Sequence, residues 1–412
     1  MDVIYQSCCG IDVHAKTAVV CLIRKGKKQT RTYSTMTDDL LKLSDWLASE
    51  ECTHAAIEST GVYWKPVFNI LEGTLQVILV NARNVKAVPG RKTDVRDCEW
   101  LADLLRHGLL RASFIPPIEI REIRELVRHR HTLVTVQTGV SNRILKVIES
   151  ANIKLAQVAS DALGVSGRAM LRALAQGEQD VEKMANMARG SLKAKEAQLR
   201  RALSGRLTRS QRFVLNELLN QLDETEAAIA RVSLEICQQM EENNRPFVHE
   251  AVQLLQTIPG VGERVAEVIV SEIGVDMSRF PSHRHLSSWA GMCPGNNESA
   301  GKRKSGKTTK GSPYLRGALT QAAWAASHTK LTYLSAQYKK LVMRRGKRKA
   351  LVAVGHSILV IAYHILKERS NYRELGVDYF DRQNVDAQRS RYIRKLAALG
   401  VHVAIAPNPS EA

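Results

Sequence analysis

Asp94 and Asp97 stand three residues apart in the stretch Gly90-Arg91-Lys92-Thr93-Asp94-Val95-Arg96-Asp97-Cys98-Glu99-Trp100-Leu101. A helix starting near Thr93 puts both carboxylates on one face. That face continues through Leu101, Leu104 and Leu105, an apolar stripe suited to packing on a sheet. Acids at the head of a buried stripe are costly unless they are paired or hold a cation. Alone, the pair has an ordinary reading, in which Asp94 complements the positive end of the helix and Asp97 is a solvated first-turn acid. Two more acids shift the balance: Asp12, inside the run Cys8-Cys9-Gly10-Ile11-Asp12-Val13-His14, and Glu58, at the end of His54-Ala55-Ala56-Ile57-Glu58. A strand-end acid is commonplace, whereas one in mid-strand is not. Four clustered carboxylates repel unless a cation joins them, and hard oxygen donors of this kind suit Mg²⁺ or Mn²⁺.

The elements that must position these acids follow from the hydrophobic pattern. Residues 8–14 and 18–23 read as a hairpin around Ala15-Lys16-Thr17, and a second turn at Lys25-Gly26-Lys27-Lys28 leads to a third strand over 30–34. Residues 38–48 form an amphipathic helix with Leu40, Leu41, Leu43 and Trp46, followed by a buried strand at 54–58. Ser59-Thr60-Gly61 can cap a helix over 62–71, and 75–80 makes a fifth strand. With the late acidic helix the order is βββαβαβα, the order of a ribonuclease H-like α/β domain, and it places Asp12 and Glu58 on neighbouring strands.

The chain has 412 residues, 44% of them apolar, enough for two or three domains. Its 60 Lys and Arg against 41 Asp and Glu leave a net charge of +19, the balance of a partner of polyanions, with nucleic acid first among them. The seven cysteines show no C-x-x-C pair, so neither a zinc site nor a disulfide framework is indicated, and they suit a reducing cytoplasm. Met1-Asp2-Val3-Ile4 has no basic leader character. The longest apolar run, Ala350 to Leu366, contains His356 and His364 and is slightly short for a membrane span; a buried helix is expected there, and no membrane partner.

No proline occurs from residue 118 to residue 245, which indicates a helical middle. Arg121, Arg124, Arg128, Arg130 and Arg143 make its first part basic, either as a phosphate-contacting face or as a solvated one. Leu215, Leu218, Leu222, Ile229, Val232 and Ile236 recur at heptad spacing. A coiled coil between protomers and an antiparallel helical hairpin within one chain both fit, and the first is slightly favoured. Beyond Pro246, the segment Thr257-Ile258-Pro259-Gly260-Val261-Gly262 between two apolar helices matches a helix-hairpin-helix. There Gly260 and Gly262 allow the tight turn, and backbone N–H groups can face a phosphate; a plain packing turn is the alternative. From Ser299 through Lys367 there are 15 Lys and Arg and no Asp or Glu. Lys302, Arg303, Lys304, Lys307 and Lys310 crowd a Gly-, Ser- and Thr-rich loop, and Arg344, Arg345, Lys347, Arg348 and Lys349 form a second cluster. An acid-free span of this length reads as a polyanion-binding surface driven by counterion release.

These residues carry a resemblance. GIDVH with Asp12, IESTG with Glu58, GRKTDVRDCEWLADLL with Asp94 and Asp97, TIPGVG, and Trp289-Ala290-Gly291-Met292-Cys293-Pro294 with the loop to Tyr314-Leu315-Arg316 resemble the DEDD transposases of insertion sequences and their Piv-type DNA invertase relatives, a group that includes the bridge-RNA-guided recombinases. The resemblance covers roughly residues 8–130 and 250–330. It implies a RuvC-like domain at 1–117 whose four acids bind Mg²⁺, a helical linker or coiled coil at 118–249, and a mainly helical transposase domain at 250–412. It further implies a serine nucleophile in the last of these, so that the active site combines both domains. The family's loop reads Ser-Ser-Gly-Gly-Lys; here it is Glu298-Ser299-Ala300-Gly301-Lys302, so Ser299 is the aligned serine, Glu298 and Ala300 depart from the pattern, and Ser305 is its rival. From the residues alone, a serine in such a loop is there for turn chemistry far more often than for catalysis.

Three functions are thus to be weighed. The first is a DNA recombinase that cleaves and rejoins strands through a covalent phosphoserine on Ser299. The second is a RuvC-like nuclease in which water attacks; the third is a non-catalytic nucleic-acid scaffold with structural acids. The expected partners are donor and target DNA, a non-coding guide RNA and further copies of the chain in a homodimer or homotetramer. Gly260, Gly262, Lys302, Arg303, Lys304, Lys307, Lys310 and Arg316 are the expected nucleic-acid contacts.

Overall fold

The computed structural model describes residues 2–401 except 60, 82–93, 242–246, 296, 300–301 and 383–384. Within described elements, the side chains of 94–96, 297–299, 302–305, 381, 385–388 and 391 lie outside the description. The chain divides into two compact units, Met1–Ile115 and Pro116–Ala412.

The first unit is built on a mixed five-stranded sheet ordered β3-β2-β1-β4-β5, from β1 (Ser7–Val13), β2 (Thr17–Arg24), β3 (Lys27–Ser34), β4 (His54–Glu58) and β5 (Gln76–Val80). β1, β2 and β3 pair antiparallel, whereas β4 joins β1 and β5 joins β4 in parallel. β1 and β2 are nearly continuous apolar runs because both sheet faces are covered. β3 carries KKQTRTYS on the exposed edge, where charge discourages further strand pairing. It begins at Lys27, three residues earlier than expected, because the β2–β3 turn is only Lys25-Gly26, with φ of 48° and 81°. Two positive φ values are the signature of a hairpin turn matched to strand twist.

α1 (Thr37–Ser49) and α2 (Trp64–Leu71) cover one face through Leu40, Leu43, Leu47, Val67 and Leu71, packed on Cys9, Ile11, Ala55 and Ile57. α3 (Asp94–Arg106) covers the other, with Leu101, Leu104 and Leu105 on Cys8, Ala56 and Val80. Gly10 permits this contact. A Cβ there would lie 2.2 Å from the Cys98 carbonyl oxygen and 2.5 Å from the Ala102 nitrogen, both backbone atoms that cannot swing aside. Gly10→Ala therefore lifts α3 from β1, and we expect it to cost about 3 kcal/mol, read as a lower urea midpoint of the full chain.

In the second unit, α4 (Ile118–Ser150), α5 (Val165–Gln176), α6 (Arg209–Glu241), α7 (Val248–Gln256), α8 (Glu263–Ile273), α9 (Pro313–His328), α10 (Tyr333–Arg345) and α11 (Lys347–Glu368) are the principal helices. The heptad seam of α6 packs on α4 of the same chain, with Leu215, Leu218, Leu219 and Leu222 in one core with Val140, Ile144 and Ile148. Gln211 reaches Ser150 at 3.1 Å and Gln137 reaches Glu226 at 2.9 Å, so the two helices run antiparallel. Of the two arrangements the spacing allowed, the seam takes the hairpin within the chain, and the slightly favoured inter-protomer coiled coil is corrected accordingly. The reason is that α4 offers its own apolar seam, and the connection from Ala151 to Thr208, which contains α5, brings α6 back along it.

The arginines of α4 are corrected likewise. Arg128 forms a bidentate pair with Glu272, at 2.7 and 2.9 Å, and Arg124 donates to the carbonyls of Ser271 and Glu272 at 2.9 and 2.6 Å, closing the C-terminal turn of α8. Burial pulls the Arg124 guanidinium down to about 10, so it is still a cation at neutral pH. Arg130 pairs with Glu267 with both side chains buried. These three hold helices together; Arg143 alone of the set is exposed. Burial pushes the Glu267 carboxyl up in spite of its Arg130 partner, which marks a pair whose desolvation is incompletely offset. Glu267→Ala, which strands the Arg130 charge, is expected to cost about 3–5 kcal/mol, whereas Arg130→Met with Glu267→Leu together should be nearly neutral; thermal melts of both variants check it.

The apolar run 350–366 lies in α11, which is long and apolar enough to cross a membrane by composition. In this fold it buries Ala350, Val354, Ile358, Leu359 and Ala362.

Candidate active site

The ladder of β1 and β4 pairs Cys8 with His54, Cys9 with Ala55, Gly10 with Ala56 and Ile11 with Ile57. One step further, Asp12 and Glu58 fall side by side on strands roughly 4.8 Å apart. Alternation puts both on the face of Cys8, Gly10 and Ala56, which is the face α3 covers.

α3 runs against β1. The Ile4 amide donates to the Arg106 carbonyl at 2.9 Å, the Cys8 thiol to the Ala102 carbonyl at 3.7 Å, and Gly10 lies under Cys98 and Ala102. Two strand residues past Gly10 is roughly 6.6 Å, or about four helix residues back along α3, which brings Asp12 level with the turn that starts at Asp94 and contains Asp97. Burial pushes the Cys98 thiol up to about 12, and the Asp12 carboxylate adds to that rise, a second sign that the two are neighbours. The Cys8 thiol is likewise pushed up to about 12, chiefly by burial. Both are neutral thiols at physiological pH, poor as ligands or nucleophiles.

Asp12 is 7% exposed in the middle of the sheet, while Glu58 and Asp97 are half-buried. The His14 Nε2 lies 3.2 Å from the Asp12 Oδ2. Sequence reasoning misses His14, one residue past β1; its spacing of two from Asp12, which continues the strand alternation, is the available signal. Among the described residues, no group of three His, Cys, Asp or Glu side chains stands ready to hold an ion. The Asp94 side chain lies outside the description. By type and placement the donor set nevertheless fits a hard divalent cation: carboxylates carried by two adjacent strand ends and one helix start.

In the second unit, Ser299 does not sit in an open loop. β6 (Asn297–Ser299) and β7 (Lys302–Ser305) form an antiparallel hairpin in which Ser299 pairs with Lys302, Glu298 with Arg303 and Asn297 with Ser305. Ser299 is thus the last residue of β6, and Ser305 lies toward the base. Polar strands leave no hydrophobic alternation, so no pattern in the residues marks them. The side chains of Ser299, Ser305, Lys302, Arg303 and Lys304 lie outside the described ones; Lys307 and Lys310 are exposed and Arg316 half-buried.

The neck of the hairpin is tightly held. Pro294 bridges Thr308, and the Gly295 amide donates to the Lys307 carbonyl at 2.8 Å. A Cβ on Gly311 would lie 2.1 Å from the Ala290 carbonyl oxygen, and Gly291 takes φ of 66° against Gly311. Just beyond, Tyr314 lies under the Arg128 guanidinium at 4.8 Å and edge-on to His131 at 5.2 Å, tying the start of α9 to α4.

Gly260, with φ of 86°, is needed where it is: its Cβ would meet the Ala322 oxygen and the Ala326 nitrogen of α9 at 2.5 Å. Gly262 precedes α8 with ordinary extended backbone and open space beside it. The α7–α8 turn thus has a packing requirement at its first glycine and free room at its second.

Two family models match this chain: one described as a transposase of the DEDD, IS110 type over residues 9–153, and one described as the transposase IS116/IS110/IS902 family over residues 252–339. The transposase for insertion sequence element IS1111A of Coxiella burnetii is 25% identical over 303 residues, covering 72% of each chain. The pilin gene-inverting proteins of Moraxella bovis and Moraxella lacunata are each 28% identical over 129 residues, 31% of this chain and 40% of theirs. The first model spans the three strand- and helix-borne acids' elements and the second the α7–α8 turn and the serine hairpin, in the same order along one polypeptide; the chain belongs to the IS110-type family of transposases.

Proposed function

We propose that this transposase-family chain is a DNA recombinase that breaks and rejoins strands by transesterification through Ser299, with Asp12, Glu58, Asp94 and Asp97 holding Mg²⁺ or Mn²⁺. The observation that carries the reading is the register of β1 and β4 beneath the start of α3, in a chain matched at both ends by transposase models. On this reading the first unit is a RuvC-like domain, 118–249 a helical spacer, and the α7–α8 turn a helix-hairpin-helix that meets backbone phosphate.

The chemistry assigned to the residues is balanced. The Ser299 hydroxyl oxygen attacks a backbone phosphorus, its proton passes to a base, and one sugar oxygen leaves with a proton as the O–P bond to serine forms. Reversal by another strand's hydroxyl restores a phosphodiester, so no nucleotide cofactor is consumed. A divalent ion held by these carboxylates would stabilise the negative charge that builds on the phosphate. Asp12 is held in the sheet, Glu58 stands at the end of the neighbouring strand, and Asp97 belongs to the first turn of α3. Lys302, Arg303, Lys304, Lys307 and Lys310 bind phosphates around the hairpin and Arg316 those beyond it. A guide RNA held on the basic surfaces, and assembly as a homodimer or homotetramer to supply two or more active sites, complete the proposal.

The test is to incubate the purified protein, with any RNA it carries, with Mg²⁺ and plasmid DNA bearing the sequences that flank its own gene, then denature. A DNA-linked polypeptide that forms only with the metal is expected. Nicked DNA with free ends and no linked protein would transfer the attack to water.

A further inference from the structure

We infer that the exposed face of α9 is a binding site for an unpaired DNA base, with Trp324 as its stacking surface. The inference rests on the recombinase reading, since breaking and exchanging strands is what would present unpaired DNA.

Trp324 is 59% exposed, an unusual position for the largest apolar side chain in a fold with ample core. It stands at one end of an open recess of ≈ 640 Å³ whose other walls are Arg316, Gly317, Gln321 and, from α11, Leu351. Arg316, Thr320 and Trp324 follow at intervals of four, so one helix face presents a cation, a hydroxyl and an indole in line. The His328 ring continues the line, 4.5 Å from the indole centroid.

Gly317 is the second observation. It lies within α9, where glycine weakens a helix, yet a Cβ there would meet nothing within 4 Å. Gly10, Gly260 and Gly311 each answer to a backbone pressed against them, and Gly317 does not. Its effect is to keep the floor of the recess low between Arg316 and Trp324.

Charge selects the occupant. The recess lies in the acid-free span from Ser299 to Lys367, and Leu351 is one turn from Lys347 and Arg348, both exposed. An apolar protein partner gains little from such surroundings, whereas a nucleotide uses both parts, its base on the indole and its phosphates on the arginine and lysines. An indole face can stack only on a base that has left its own stack, which favours a single strand over a duplex. DNA is the source we commit to, as the polymer on which a transposase acts.

The experiment compares binding of an oligothymidylate of about 16 nucleotides with that of a duplex by the full-length protein, in EDTA so that no cleavage intervenes. Trp324→Ala should weaken single-strand binding roughly tenfold and duplex binding less than twofold, with Trp324→Phe retaining most of the affinity. Gly317→Leu, which extends into open space and so leaves the melting temperature unchanged, should weaken the single strand alike. Equal losses on single strand and duplex, or none, would overturn the inference. So would a larger Trp324 dependence for oligouridylate, or a Trp324→Ala protein altered in sedimentation but not in single-strand affinity. Because binding is read without metal, failure here is separate from failure to form a serine-linked product, which is the failure of the recombinase reading.

Discussion

Asp12→Asn should abolish metal-dependent strand cleavage, by at least about 10³-fold, and leave DNA binding within about twofold. Loss of one carboxylate removes several kcal/mol of charge stabilisation, and each 1.36 kcal/mol is a factor of ten in rate. Asn preserves the shape of the side chain and the sheet register that Val19 and the β4 ladder set on either side. The binding surfaces proposed for DNA are in the other unit, so affinity is the internal control. If the acids were only structural, the variant would lose stability and activity in proportion, and a melting curve alongside the cleavage assay separates the two outcomes. Glu58→Gln should follow Asp12→Asn in direction, since its strand end adjoins that of Asp12.

Ser299→Ala should eliminate the covalent protein–DNA product, with a loss of about 10⁴-fold or more in overall strand exchange, whereas Ser305→Ala should retain the product. A hydroxyl nucleophile has no substitute once removed, so its loss is among the largest single effects available to an enzyme. The two serines differ in register: Ser299 is the last residue of β6, and Ser305 is paired with Asn297 toward the neck that Pro294 and Thr308 close. Gel analysis after denaturation reads the product directly. A linked product that survives Ser299→Ala and disappears with Ser305→Ala would move the assignment; one that survives both would remove serine from the reaction.

How much of this was legible in the sequence depends on where hydrophobicity carries the information. β4 is legible at its observed limits and β1, β2, α1 and β5 to within one or two residues, because buried runs bounded by turns leave strong patterns. The parallel pairing of β1 with β4, which puts Asp12 beside Glu58, was implied by the element order. Asp12 stands out since an acid inside an otherwise apolar strand is uncommon.

Four features were not legible, each for a physical reason. The hairpin around Ser299 is made of polar residues, and polar strands have no alternation to detect. The heptads of α6 specify an apolar seam but not its partner, which proved to be α4. Arg124, Arg128 and Arg130 have the spacing of a phosphate-binding face, yet Glu267 and Glu272, more than 130 residues away, engage them. Local sequence records charge, and only the fold records which charges meet. Gly260 belongs with these: a turn glycine by pattern, it also makes room for the backbone of α9.

The central claim is that the end of β1, the end of β4 and the start of α3 surround one divalent ion. Replacing Mg²⁺ with Fe²⁺ and generating hydroxyl radicals at the bound metal cuts the polypeptide next to its ligands, and mass spectrometry locates the cuts. The account predicts three clusters of cuts, around Asp12, Glu58 and Asp94–Asp97, suppressed by excess Mg²⁺ and absent in Asp12→Asn. Cuts scattered along the chain, or a focused set that persists unchanged in Asp12→Asn, would contradict it.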